Sequence, residues 1–171
     1  MAGSDPASCR RVGHDAPALM PLPYLACMLA VSQFYHLPPR VLPSIQVVEA
    51  GRPGTISRNF NGTADLGVMQ VNTRWLPYLS RATGLPPVIV ASRLIRDPCY
   101  NIVSAGAIMR IYLDEAHGDV VRAVGYYHSH TPALAGDYQM RVIRASFMLF
   151  GRPAPEPMPV PKLRRGKSRR H

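Results

Sequence analysis

Apolar positions recur at helical spacing in several separate stretches of the chain, and one short interval between them is built differently. Residues 22–35 set Leu25, Met28, Leu29 and Ser32 on one face, which predicts a first helix. Leu37-Pro38-Pro39-Arg40 interrupts it, and a second helix carries Ile45, Val47, Val48 and Glu49. An interior proline costs about 3 kcal/mol, so Pro43 belongs in the first turn; this helix should start near Leu42 and end at Gly51. Residues 55–58 and 66–71 are expected to pair as short strands around Asn61-Gly62, a dipeptide suited to tight hairpin turns. Trp75 and Leu76 begin a short apolar helix or turn. At Asp97-Pro98 the acid can cap a helix whose first residue is the proline, and this helix should run through Ile102, Ala105, Met109, Tyr112 and Leu113 to Gly118. Residues 120–127 and 138–150 predict two more helices, with Gly151 closing the last. The expected fold class is mainly α, an α+β arrangement of helices with one small antiparallel β-hairpin and no internal repeat.

Composition divides the chain into three. Its 171 residues suit one domain, and 47% hydrophobic residues suffice for an ordinary core. Residues 1–21 are small, proline-scattered and without periodicity, which predicts a flexible N-terminal segment. Residues 22–151 carry the folded domain, and 152–171 form a proline-rich linker and basic tail. The net charge of +10 sits mainly at the ends: six Lys or Arg fall in the last ten residues, against a balance of only +3 between Val12 and Pro161. Such a tail is expected first of all as a solvated, disordered segment, with unspecific binding of nucleic acid, anionic membrane or wall polymers, or of a secretion-apparatus partner, as the further readings. No folded reading motif or interleaved aromatics accompany it, so no specific nucleic-acid partner is expected. No stretch is long enough for a membrane span, and no secretory signal is evident, because Asp15, Pro17, Pro21 and Pro23 interrupt the region after Arg10 and Arg11.

The chemistry narrows to one acid. Of three glutamates, Glu156 lies in the proline-rich tail and Glu115 follows Asp114 near a helix end, where a solvated charge is expected. Glu49 alone stands among apolar neighbours, and a carboxyl in such surroundings keeps its proton to higher pH and can donate it. Residues 65–72, Asp-Leu-Gly-Val-Met-Gln-Val-Asn, can lay backbone amides and the Gln70 side chain beside it. One acid facing a polar wall suits cleavage of a sugar chain. Asp65 reads as a turn acid bonded to nearby backbone amides. His128 and His130 do not share a helix face and have no third ligand near, so no metal and no other cofactor is expected. Ser129 with His128 lacks an oriented acid or a nucleophile elbow.

Three motifs, Glu49-Ala50-Gly51, Gly67-Val68-Met69-Gln70-Val71-Asn72 and Ala123-Val124-Gly125-Tyr126-Tyr127-His128-Ser129, resemble in order those of the family 1 lytic transglycosylases. These are lysozyme-like enzymes that cut peptidoglycan, and the likeness is greatest to small secreted members attached to type III and type IV secretion and conjugation systems. It spans about Leu22 to Gly151. The resemblance implies that Glu49 is the acid and base and that Gly67, Met69, Gln70 and Asn72 belong to the sugar-binding wall. It also implies that Tyr127 bonds and orients Glu49 and that His128 contributes a polar contact. Ala50 departs from the usual Ser, and His128 from the usual Asn. Secreted relatives join cysteines placed like Cys27 and Cys99 in a disulfide, which implies an oxidising compartment, the periplasm; two buried free thiols are the alternative that the residues alone leave open, and Cys9 is left over.

The expected activity is therefore non-hydrolytic cleavage of glycan strands by a monomer that opens the wall locally, with secretion or conjugation apparatus proteins as further partners. Two alternatives compete: a hydrolytic muramidase that uses Asp65, and a peptidoglycan-binding module without catalysis.

Overall fold

A computed structural model describes residues 22–151. The expected N-terminal segment, the linker, the basic tail and Cys9 lie outside the described residues. In chain order the elements are α1 (Leu25–Phe34), α2 (Val41–Glu49), β1 (Ile56–Arg58), β2 (Ala64–Leu66), β3 (Val71–Asn72), a 3-10 turn (Thr73–Trp75), α3 (Leu76–Thr83), α4 (Pro87–Arg96), α5 (Pro98–Glu115), α6 (Val120–His128) and α7 (Pro132–Phe150). The fold is mainly α with a small antiparallel sheet.

The core is built around α5. Its Ile102, Ala105, Ile108, Met109 and Tyr112 are at most 3% exposed, and the helix packs against α1, α4 and α6. The start of α5 follows the expected chemistry: Asp97 Oδ1 accepts the Tyr100 amide at 3.0 Å, and Pro98 takes the first helical position. Its end comes at Glu115 rather than at Gly118. Helix α7 closes the molecule by packing along both α2 and α6. It begins at Pro132, ahead of the expected Tyr138, since Thr131-Pro132 is itself a helix start. Helix α4 was not expected. Its Val90 and Leu94 are buried while Val88 and Ile89 face solvent, so the apolar run does not mark one face.

The sheet has three strands in the order β1-β2-β3, not a single hairpin. Asn61-Gly62 does lie in the first turn, with Arg58 opposite Ala64 and Ile56 opposite Leu66. The second strand therefore ends at Leu66, where the expectation had it begin. Residues Gly67–Gln70 form a tight turn, and Val71–Asn72 return as β3, with Asp65 opposite Asn72.

Pro43 sits in the first turn of α2, as its missing N–H requires. The helix ends at Glu49, and Ala50, not Gly51, adopts the left-handed conformation at its end (φ 50°). Gly51 has a different task. A Cβ there would stand 2.2 Å from the Gly67 carbonyl oxygen, so only glycine lets the end of α2 lie against the turn after β2. This contact brings the acid to the sheet.

Candidate active site

Glu49, the last residue of α2, opens into a cleft of about 530 Å³ between the sheet and helices α5–α7. Burial pushes its carboxyl up to about 7; the charge of Asp65 adds to the rise, while the Tyr138 hydroxyl and Arg141 oppose it. A group so placed carries a proton near neutral pH and can surrender it to a substrate oxygen.

The hydroxyl that orients Glu49 belongs to Tyr138 on α7, which donates to Oε1 at 2.5 Å. Burial first, then the charge of Glu49, holds the Tyr138 hydroxyl far above its ordinary range, so it remains a donor. Tyr127, the expected partner, donates instead to the Met69 carbonyl at 2.9 Å. Helix α7 packs along α2, whereas the Tyr127 hydroxyl lies against the turn after β2. The His128 ring stacks parallel to Tyr138 at 4.8 Å, and the Arg141 guanidinium lies 5.2 Å from the same ring. Partial burial and Arg141 depress the His128 pKa, so its imidazole is neutral at neutral pH.

The facing wall is the turn after β2, and Asn101 on α5 fastens it. Asn101 is wholly buried. Its Nδ2 donates to the Leu66 and Leu94 carbonyls at 2.7 and 2.8 Å, and its Oδ1 accepts the Met69 amide at 2.9 Å. Gly67 (φ 67°) allows the close approach, for a Cβ there would lie 2.1 Å from the Leu94 carbonyl oxygen. Gly67 and Met69 thus support the wall from behind and do not line the cleft; the Met69 side chain is completely buried in the core.

Glu49, Gln70, Asn72, Tyr127 and His128 do line it. Gln70 is half committed to the protein: its Nε2 donates to the Gly67 carbonyl at 2.7 Å and its Oε1 accepts from Ser57 Oγ at 2.6 Å. One amide N–H remains for a ligand.

Asp65 is not a turn acid bonded to backbone. It lies on β2 and faces the same cleft, where Oδ1 accepts from Asn72 Nδ2 at 2.6 Å and Oδ2 from Asn59 Nδ2 at 2.9 Å. The cleft therefore holds two carboxyls in opposite settings, one apolar and one ringed by amides. Arg74 and Trp75 also line it, with Trp75 edge-on to Tyr112 at 5.7 Å. His130 stacks on Tyr126 at 4.3 Å and meets Glu115 at 2.9 Å, so the two histidines engage different partners.

Sequence reasoning missed Tyr138, Asn101, Asn59 and Trp75. Asn101 alone offered a signal, a polar residue one step ahead of the apolar face of α5.

Cys27 on α1 and Cys99 on α5 are thiols in the structure rather than the expected disulfide. They are neighbours nonetheless. Burial, and then a hydrogen bond with Cys99, pushes the Cys27 thiol up to about 12.

No family model matches the chain. It is similar to invasion protein IagB from two strains of Salmonella typhimurium and from Salmonella typhi, being 28% identical over 116 residues, which cover 67% of this chain and 69% of the relative. Among the described residues no helix is long and apolar enough to cross a membrane.

Proposed function

We propose that the protein is a peptidoglycan lytic transglycosylase of the family 1 type, with Glu49 as its single acid and base. One observation carries the reading: the Glu49 carboxyl, pushed up to about 7 by burial, opens into a cleft whose lining is rich in amides, hydroxyls and rings and holds one further carboxyl, Asp65. Glu49 gives its proton to the oxygen joining N-acetylmuramic acid to N-acetylglucosamine, and the C–O bond breaks. The substrate's acetamido oxygen stabilises the cationic carbon. Glu49, now a carboxylate steadied by the Tyr138 hydroxyl, takes the proton of the 6-hydroxyl as that oxygen closes a 1,6-anhydro ring. The acid is regenerated and no water is consumed. The likeness to proteins named for invasion supports action on a bacterial wall, in the periplasm, as part of a secretion or conjugation machine. Residues 22–151 would constitute the catalytic domain.

Hydrolysis is the second reading, and Asp65 favours it. Held by Asn59 and Asn72 in the same cleft as Glu49, it supplies the second carboxyl that a hydrolytic mechanism would use.

Digestion of purified peptidoglycan by the protein and by Glu49→Gln, followed by mass spectrometry, separates the possibilities. Muropeptides one water lighter than hydrolytic products, absent with the variant, are expected. Reducing, hydrated ends that vanish with Asp65→Asn would establish hydrolysis. Binding without release by the unaltered protein would leave a non-catalytic module.

A further inference from the structure

Another cavity, of about 570 Å³, shares His128 and Leu134 with the cleft, and two of its lining residues, His128 and Arg141, lie against the Tyr138 ring. Asp137, Met140, Arg141 and Arg144, all on α7, complete its lining. Nothing in the glycosidic chemistry above uses it.

Its composition is that of an anion site with apolar walls. Among the described residues neither Arg141 nor Arg144 has a carboxylate within 4 Å, Asp137 included. With His128 neutral, the cavity holds two cations against one acid. The Arg141 guanidinium is already set against the Tyr138 ring, which orients its planar donors before any ligand arrives. Leu134 and Met140, each about half exposed, offer apolar surface that has no partner within the described fold.

We infer that this cavity receives the carboxylate-bearing peptide stem of the substrate, with Arg141 and Arg144 as its ligands. The inference rests on the peptidoglycan reading. In that polymer the muramic acid unit carries its peptide on a lactyl ether, a few bonds from the glycosidic carbon. When Glu49 addresses that carbon, the stem must leave the cleft close by, and the cavity next to the residue bonded to Glu49 is an open route. Small apolar side chains of the stem would meet Leu134 and Met140, and its acids the two guanidinium groups. Arg donates two parallel N–H bonds to a carboxylate, which makes it the better cation for this purpose.

The test uses the full-length Glu49→Gln protein, which binds glycan without cutting it, and two probes: soluble peptidoglycan tetrasaccharides with intact tetrapeptide stems, and the same tetrasaccharides stripped by an amidase. Calorimetry should show the stemmed probe binding roughly three- to tenfold tighter, as expected for two partly exposed charge pairs, with the advantage lost in about 0.5 M salt. Adding Arg144→Gln should shrink the gap, whereas Arg144→Lys should keep part of it. Arg144 is solvent-exposed, so its replacement leaves the core intact. Equal binding of the two probes, or an undiminished gap in Arg144→Gln, overturns the stem site while leaving the glycan reading in place. Binding of neither probe overturns both together.

Discussion

Replacing Glu49 with Gln should abolish cleavage and at the same time stabilise the fold, by an amount that depends on pH. Glu49 is raised from 4.5 to about 7, chiefly by burial. Each pKa unit corresponds to about 1.4 kcal/mol, so the shift corresponds to about 3 kcal/mol, and the water still reaching this part-exposed carboxyl reduces that to about 2–3 kcal/mol. Between pH 4.5 and about 7 the folded protein keeps a proton at Glu49 that the unfolded chain releases. Stability therefore falls as pH rises through this window, and above it the whole penalty is present. Gln cannot ionise, and its Oε1 still accepts the Tyr138 hydroxyl, so it imitates the protonated acid at every pH.

Denaturant unfolding of both proteins, followed through the single tryptophan, Trp75, at about pH 4 and about pH 8, measures the effect. The two stabilities should agree at the lower pH and differ by about 2–3 kcal/mol in favour of Glu49→Gln at the higher, or roughly 5–10 °C in melting temperature. Other titrating groups, His128 with its depressed pKa among them, are common to both proteins and cancel in the difference. A stability difference that is the same at both pH values would refute the raised pKa, and with it the claim that Glu49 is protonated when substrate arrives.

Tyr138→Phe removes the donor that pulls the Glu49 pKa down; the basic limb of the pH–activity profile should move to higher pH while kcat falls roughly tenfold or more, and an unmoved limb would argue against the contact. Asn101→Ala leaves the Met69 amide and two carbonyls unpaired in the interior, for which a loss of roughly 3 kcal/mol is expected in the same unfolding measurement; a loss below about 1 kcal/mol would mean that the wall is not fastened there. A mild oxidant should join Cys27 to Cys99, closing a loop of 72 residues and adding about 4 kcal/mol of stability in the chain-entropy model. Full alkylation of both thiols after oxidant treatment would show that they cannot bond.

What the chain disclosed before folding was whatever rests on neighbours in sequence. Glu49 among valines and isoleucine, the Asn61-Gly62 turn and the Asp97-Pro98 helix start are local chemistry, and each stands where it was expected. Asp65 was misread for the same reason. As a residue before Gly67 it suggests a turn, yet its true partners are fixed by cross-strand register, which sets it opposite Asn72. A shift of one residue in that pairing would turn the carboxylate to the other face of the sheet, and no pattern over residues 55–71 specified it.

The exchange between the two tyrosines goes further. Tyr127 belongs to a recognisable motif, and Tyr138 stands 89 residues from the acid it bonds. Nothing in their own surroundings separates them, since each is an aromatic residue on an apolar helix. The difference arises from packing. Helix α7 lies along α2 and carries the Tyr138 hydroxyl to Glu49, while the Tyr127 hydroxyl reaches the Met69 carbonyl in the wall. The motif residue thus fixes the wall and the unmarked residue tunes the acid. Tyr127→Phe should accordingly loosen the turn after β2 and leave the ionisation of Glu49 nearly in place, whereas Tyr138→Phe acts on the proton itself. Two substitutions of the same atom, on adjacent helices, would affect different steps.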